Sequence, residues 1–207
     1  PQVDELPYAQ HFEEWNGGWT IGEDSQNSSW AYGSPAGALI SEAASGVFAW
    51  VSNLSGDYNN NELSYLESPC FDFSDLTEDP RLSFSLFFES ESCCDELWVE
   101  RSIDGGETWT KVGANGTGAN WYNDAGNQWW DGSGNFDGWV IAFNTLEGIA
   151  GKAEVRIRFV LSTDGSITRE GVGINDILIA IPFENDLAGA SVGNGGNVDC
   201  GTSDDIV

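Results

Sequence analysis

Hydrophobic and polar residues alternate with a period of two in two stretches of this chain. They are RLSFSLFFE at residues 81–89 and EVRIRFVL at residues 154–161. The apolar positions are Leu82, Phe84, Leu86 and Phe88 in the first stretch, and Val155, Ile157, Phe159 and Leu161 in the second. Because successive side chains of a strand point to opposite faces, the pattern predicts half-buried antiparallel strands.

Shorter apolar runs predict the remaining strands. They are VFAWVS, SYLES, ELWVERS, WVIAF and INDILIAI, separated by turn clusters such as SGDYNNN and STDGS. Only NTLEGIAGK suggests a helical turn, and no fixed-period repeat is evident. The sequence therefore predicts an all-β protein.

Length and composition favour one main domain. The chain has 207 residues, of which 40% are hydrophobic, with 26 glycines and 10 tryptophans. That is enough for one sizeable core of short strands joined by turns. We assign residues 1–182 to this domain and the Gly- and Asn-rich residues 183–207 to a linker or the start of a following domain. The absence of Met and of a signal segment suggests a mature or excised piece of a longer protein.

The charge balance excludes polyanionic partners. Asp and Glu number 34 against 7 Lys and Arg, a net charge of −27, so nucleic acid and anionic membranes would be repelled. No stretch approaches the ~18 apolar residues of a membrane helix, so membrane insertion is not expected. Most of these carboxylates are expected to lie on a solvated surface. Their mutual repulsion is relieved by salt or bound Ca²⁺, and either condition fits an extracellular setting.

Four cysteines allow three complete pairings: Cys70, Cys93, Cys94 and Cys200. No zinc pattern fits, since the only histidine is His11 and there is no CxxC. Cys93 and Cys94 either form a bridge between adjacent residues, or one of them bonds to Cys70; the alternative to oxidised cysteines is buried free thiols. We favour the second pairing, with Cys200 belonging to a following domain.

A hairpin is predicted at SIDGGETW, residues 102–109, where Asp-Gly-Gly supplies the turn. The segment resembles the Asp-box of sialidase-like proteins. In that motif the Asp caps the turn and the Trp packs beneath it, so the resemblance implies a structural role.

The Trp-rich segment NWYNDAGNQWWDGSGNFDGW, residues 120–139, has no strand or helix period. It is either a ligand platform, since Trp faces stack on sugars and Asn or Asp bond hydroxyls, or a local core. The candidate ligand-binding residues are Trp121, Tyr122, Trp129, Trp130 and Asp131. We expect Trp139 to be structural and Trp130 to be more exposed than Trp129.

The order of segments resembles MAM-like, cleaved-adhesin-like jelly-roll modules of large secreted Bacteroidetes proteins. The resemblance runs over roughly residues 6–181 and rests on LPYAQHFEEWNGGWT, SYLESPCFDFS, RLSFSLFF, DELWVERSIDGGETW, the Trp-rich segment, LEGIAGKAEVRIRFVLSTDG and GVGINDILI. It implies a two-sheet antiparallel jelly-roll β-sandwich that adheres to or targets proteins and glycans without catalysis.

The same resemblance implies one cation, taken as Ca²⁺, that links the first strand to the last through Glu13 and Asp176. Asn175 stands where the family commonly has a first Asp, which puts a metal role at that position in doubt. A second candidate site is DYNNNE, with oxygens from Asp57, Asn59 and Asn61. It lacks the Gly and terminal Glu of a calcium loop, so an Asn-rich turn is the favoured interpretation.

The sequence therefore predicts a secreted or cell-surface, non-catalytic adhesion or targeting module that binds glycan or extracellular protein and is monomeric in isolation. The alternatives are a protein-interaction module without sugar binding and a carbohydrate-active enzyme of concanavalin-like fold. A triad enzyme would have to recruit His11, the sole histidine. ESESCCDELWVE lacks the E-x-D-x-x-E spacing of jelly-roll glucanases.

Overall fold

A computed structural model describes residues 2–182, and the predicted linker at 183–207, with Cys200, lies outside the described residues. The strands are β1 (Gln2–Val3), β2 (Tyr8–Gln10), β3 (Thr20–Ile21), β4 (Trp30–Gly33), β5 (Ala49–Ser52), β6 (Leu63–Glu67), β7 (Cys70–Phe71), β8 (Arg81–Glu89), β9 (Glu96–Ser102), β10 (Thr110–Lys111), β11 (Trp130–Asp131), β12 (Val140–Thr145), β13 (Arg156–Ser162) and β14 (Gly171–Ala180). One short 3-10 helix spans Gly132–Gly134.

Two antiparallel sheets form the sandwich. The first sheet has the order β10-β9-β13-β6-β3, with β11 also paired to β9. The second has the order β12-β8-β14-β5-β4, with β2 paired to β14. From β8 onwards the chain passes repeatedly from one sheet to the other, as in a jelly roll. The predicted all-β, two-sheet sandwich is confirmed.

The core lies between the inward faces predicted from the alternation. All eight apolar positions of the two alternating stretches are at most 1% exposed. The rings of Phe84 on β8 and Phe159 on β13 meet edge to face across the two sheets, with centroids 4.8 Å apart. Burial of this apolar surface drives the two sheets together.

The outer face of the second sheet carries a smaller apolar cluster. Trp139 packs there, edge to face with Phe87 at 5.9 Å between ring centroids. A Cβ at position 173 would lie 2.4 Å from the Trp139 ring, so Gly173 is required for this contact. The expectation of a structural role for Trp139 agrees with this packing.

The segment NTLEGIAGK forms the end of β12 and turns, without a helix. Three consecutive amides, those of Gly148, Ile149 and Ala150, donate to the Asp79 carboxylate at 2.7 to 2.9 Å. A side-chain acceptor thus satisfies donors that helical hydrogen bonds would otherwise use.

Candidate functional site

Most of the aromatic residues proposed as ligand contacts belong to the core. Trp121, Tyr122 and Trp130 are 3%, 4% and 1% exposed. Their rings contact one another, with centroids 4.7 to 5.4 Å apart. Their polar atoms bond to backbone carbonyls, as buried Trp and Tyr require: the Trp121 indole and the Tyr122 hydroxyl to Val112, and the Trp130 indole to Asn120.

The register of β11 on β9 reverses the expected exposure of Trp129 and Trp130. Trp130 lies opposite Leu97, a fully buried residue that faces the core. Trp129, the preceding residue, lies at the outer face beside Trp98, with ring centroids 6.2 Å apart. The prediction that Trp130 is the more exposed of the two is therefore wrong, although adjacent residues do face opposite ways.

Asp131 is an N-cap. It is 8% exposed and accepts hydrogen bonds from the Ser133 amide at 2.8 Å and from Asn123 at 3.0 Å. This arrangement starts the 3-10 helix and occupies the carboxylate.

A set of outward-facing aromatic rings covers the first sheet, and we call it the aromatic face. Its members are Tyr65, Trp98, Trp109 and Trp129, with Lys111 and Arg158 between the rings. Trp98 lies between the buried Leu97 and Val99 on β9, so strand alternation turns it outward. That alternation is the sequence signal for Trp98. The Trp-rich segment contains none of Trp98, Tyr65 and Trp109, so the candidate ligand residues taken from it do not include these three.

Glu100 fixes the aromatic face. One carboxylate oxygen accepts the Trp98 indole N–H at 2.8 Å, and the other accepts Arg158 Nε and Nη2 at 2.7 and 2.6 Å. The Arg158 guanidinium lies 4.1 Å from the ring centroids of both Tyr65 and Trp109. These contacts fix the positions of the rings.

Lys111 ties the Trp-rich segment to the same face. Its ammonium lies 4.9 and 5.2 Å from the ring centroids of Trp98 and Trp129, and donates to the Asn127 carbonyl at 3.1 Å. Burial lowers the pKa of Lys111, while Glu100 and other nearby carboxylates oppose that shift.

A polar groove of about 380 Å³ continues from Trp109 along the edge of the sheet. Arg156 and Glu67 line it, with an Arg156 Nη1 to Glu67 Oε2 distance of 3.8 Å. The Arg156 Nε is buried and has no hydrogen-bond partner within residues 2–182. Burial raises the pKa of Glu67 although Arg158 and Arg156 lower it. The groove thus offers donors and acceptors side by side.

The Asp-box segment has the structural role that its resemblance implied. The Asp104 carboxylate accepts from the Thr108 amide at 2.9 Å and the Ser102 hydroxyl at 2.6 Å. These hydrogen bonds lower the pKa of Asp104 to about 2. The capped turn presents Trp109 to Arg158.

The proposed calcium ligands Glu13 and Asp176 approach the same segment, residues 45–48, from different elements. Glu13 Oε1 accepts the amides of Val47 and Phe48 at 2.9 Å each. A Cβ at position 46, where φ is +66°, would lie 2.3 Å from the Glu13 carboxyl carbon. Each carboxylate oxygen has lone pairs beyond these bonds, so the residues can still serve a hard cation.

Asp176 lies at a bulge of β14 and has a positive φ of 48°. It bonds His11 Nδ1 at 2.7 Å and accepts the hydroxyls of Ser45 at 2.6 Å and Ser85 at 3.2 Å. Both serines donate to the carboxylate, and the histidine also faces it. This arrangement therefore differs from a catalytic triad, in which serine bonds to histidine.

The second calcium candidate forms a turn. Asp57 accepts the Thr168 hydroxyl at 2.9 Å, and Asn59 donates its amide to the Asn27 carbonyl at 3.0 Å. Asn61 has a positive φ of 53°. These features agree with the favoured interpretation as an Asn-rich turn.

Cys93 and Cys94 are bonded to each other, and Cys70 is a free thiol. The preferred pairing of Cys70 with Cys93 or Cys94 is therefore wrong, and the alternative of a bridge between adjacent residues is observed. Cys70 lies on β7, whereas the bonded pair lies on the connection between β8 and β9.

Comparisons with known proteins establish the fold. No family model matches the chain, and a search of curated proteins found no match. The K2 cleaved adhesin domain of Lys-gingipain matches 86% of this chain and 99% of its own at 17% identity, with a TM-score of 0.52. The K1 domain of Lys-gingipain from Porphyromonas gingivalis W83 matches 86% and 100% at 15% identity, with a TM-score of 0.50.

A third solved structure concerns carbohydrate-binding modules of the β-sandwich superfamily. It matches 86% of this chain at 10% identity, with a TM-score of 0.51, and this chain spans 62% of its length. At such identities the likeness is one of fold. The predicted resemblance to cleaved adhesin modules is confirmed at that level.

Proposed function

We propose that this chain is a non-catalytic carbohydrate-binding module that takes its ligand on the aromatic face. The observation that carries this proposal is the pair of neighbouring outward rings, that of Trp98 on β9 and that of Trp129 immediately before β11. Glu100 and Lys111 hold both rings in place, so little conformational entropy is lost on binding.

The chemistry of the face suits a neutral glycan. Aromatic faces pack against the C–H surfaces of sugars, and the adjacent groove places the Arg156 guanidinium next to the Glu67 carboxylate. A hydroxyl both donates and accepts, so it can satisfy both partners. An anionic ligand would be repelled by the net charge of −27.

The fold supports the proposal by analogy. A structure of β-sandwich carbohydrate-binding modules shares it, and so do the adhesin domains of Lys-gingipain. Function rests on the site rather than on the fold, so the aromatic face is the stronger support.

Substitution of the two rings tests the proposal. Trp98→Ala and Trp129→Ala should each weaken binding to a neutral polysaccharide by at least tenfold, because each removes a stacking surface of the face. Trp15→Ala is the matched control, since Trp15 is 51% exposed and lies outside the aromatic face. A glycan array followed by affinity electrophoresis provides the measurement.

Equal binding by all three variants and the parent chain would reject the aromatic face. If no glycan is retained by the parent chain but an extracellular protein is, with loss in Trp98→Ala, the module is a protein-interaction domain. Polysaccharide turnover by the isolated chain would favour an enzyme.

The proposal includes an extracellular location and a stabilising Ca²⁺. The bond between Cys93 and Cys94 is of a kind that persists in oxidising compartments. The described part of the chain contains no helix long and apolar enough to cross a membrane. Two observations support Ca²⁺. The carboxylates of Glu13 and Asp176 both contact the segment at residues 45–48, and the chain has a net charge of −27.

A further inference from the structure

The connection between β8 and β9 places metal-ligand atoms of two kinds together. Glu91, Cys93 and Cys94 have ligand atoms that all lie within 4.8 Å of one another. Cys93 is exposed and Cys94 is half-buried, so a small reductant in solution can reach the disulfide between them.

Hydrogen bonds hold this connection independently of the disulfide. The Glu91 amide donates to the Tyr58 hydroxyl at 3.1 Å, and that hydroxyl donates to the Asp95 carboxylate at 2.5 Å. The Ser90 hydroxyl donates to the Asp95 carbonyl at 2.8 Å. Tyr58 is 2% exposed and Asp95 is fully buried, which anchors both ends of the loop to the core. Opening the sulfur bridge therefore leaves the two cysteines close to Glu91.

Glu91 has an unused ligand atom. Its Oε2 is buried and has no hydrogen-bond partner among the described residues. Desolvation raises the pKa of Glu91, and the neighbouring Asp164 and Asp95 raise it further. A cation at this oxygen would offset the repulsion among these carboxylates.

We propose that reduction of the bond between Cys93 and Cys94 creates a three-ligand site, with Glu91, for a thiophilic divalent metal such as Zn²⁺ or Cd²⁺. A dithiol reductant supplies two electrons and two protons, the sulfur–sulfur bond breaks, and the reductant is itself oxidised to a disulfide. The metal then displaces both thiol protons and binds two thiolates and one carboxylate. A fourth position stays open to water, as in zinc sites with three protein ligands.

The disulfide makes the site conditional. While the bridge is closed, neither sulfur is a thiolate, and thiolate is the form that binds metal. The same chain is thus its own control, since only its oxidation state changes. The three residues of the site belong to the connection before β9 and are not members of the aromatic face, so metal binding can be measured without a glycan.

Cadmium titration tests the proposal. In a background carrying Cys70→Ser and Cys200→Ser, the reduced, metal-free chain should bind one Cd²⁺ per chain. An ultraviolet thiolate-to-cadmium charge-transfer band should report the binding, and the oxidised chain should show no band. Glu91→Gln should weaken Cd²⁺ binding at least tenfold, and Cys94→Ser should abolish the one-to-one band.

Three results would overturn the proposal. The first is a reduced chain in which thiol titration finds two free thiols but Cd²⁺ produces no charge-transfer band. The second is affinity for Cd²⁺ that is unchanged in Glu91→Gln. The third is a bridge that resists reduction until the chain unfolds, as seen by circular dichroism. If Cys94→Ser does not fold, the comparison of oxidised and reduced parent chain still decides.

Discussion

Single carboxylates hold several loops of this protein by accepting backbone amides. Glu170 is an example, because its carboxylate accepts the amides of Ala38, Leu39 and Ile40 at 2.6 to 2.9 Å. Asp79 and Glu13 act in the same way on other loops. Part of the acidic excess is therefore structural, and amide dipoles stabilise those charges without a basic side chain.

Removal of the Glu170 carboxylate should loosen the loop at residues 38–40. We expect Glu170→Ala to lower the free energy of unfolding by about 1–3 kcal/mol, because three amides lose a charged acceptor. Glu147→Ala, at an exposed position, should change it by less than about 0.5 kcal/mol. Urea denaturation of both variants is the measurement. Equal effects of the two substitutions would show that the hydrogen bonds from residues 38–40 to Glu170 contribute nothing to stability.

Glu96 gives stability a dependence on pH with a defined sign. Burial, together with Asp95 and other carboxylates, raises the pKa of Glu96 from 4.5 to about 7. Since the folded-state pKa is higher than the unfolded one, its contribution is fully present below pH 4.5 and is lost as the pH rises through about 7.

We therefore expect the melting temperature to fall between these pH values, and to fall less in Glu96→Gln. Thermal denaturation across the pH range checks it. Asp104, whose pKa is lowered to about 2, has the opposite sign, so its contribution is lost only as the pH falls through about 2. An identical pH profile for Glu96→Gln and the parent chain would contradict the assignment.

Among the elements, those with a regular period were predictable and those fixed by register were not. The alternation in residues 81–89 and 154–161 defines both the strand and its inward face. The Trp-rich segment has no period, so its orientation depends on the pairing of β11 with β9, which brings distant parts of the chain together. Sequence spacing carries no information about that contact, so it does not show which of Trp129 and Trp130 faces the core.

The candidate site was partly predictable for the same reason. Trp129 stands in a conspicuous aromatic cluster, which makes it a candidate, whereas the outward direction of Trp98 follows only from its position between Leu97 and Val99. Tyr65 and Trp109 join the face only through Arg158, whose position depends on the order of strands in the sheet.

Adjacent tryptophans should differ in their contribution to stability. Trp130→Ala removes a side chain that is 1% exposed and should cost about 3–5 kcal/mol of unfolding free energy. Trp129→Ala removes a half-buried side chain together with its contacts with Trp98 and Lys111, and should cost about 1–2 kcal/mol. Guanidinium melts followed by circular dichroism measure both values. Similar losses in the two variants would contradict the register of β11.

The outer faces of the two sheets carry different side chains. The first sheet presents the aromatic face, whereas the outer face of the second sheet is partly covered by Trp139 and by Ile40 and Ala43. The outer face of the first sheet and its edge carry three of the seven basic residues: Lys111, Arg156 and Arg158. These three basic residues supply hydrogen-bond donors at the proposed ligand face of an otherwise acidic chain.

Net charge also determines how the molecule should respond to ions. Self-repulsion among carboxylates is screened by any salt, whereas a specific Ca²⁺ acts by binding to the native state and adds RT ln(1 + [L]/Kd). At a concentration of a hundred times Kd this is ~2.7 kcal/mol, or roughly 5–10 °C for a domain of this size. We expect EDTA to lower the melting temperature at low ionic strength and CaCl₂ to restore it.

Sodium chloride at matched ionic strength separates the two effects, because it screens charges without occupying a site. Glu13→Gln and Asp176→Asn should melt at the same temperature with EDTA or with Ca²⁺, since each removes a proposed ligand charge but keeps an oxygen that accepts the existing hydrogen bonds. If NaCl restores the melting temperature as fully as CaCl₂, the carboxylates respond to screening alone. If both variants keep the full response to Ca²⁺, the ion binds at other residues than Glu13 and Asp176.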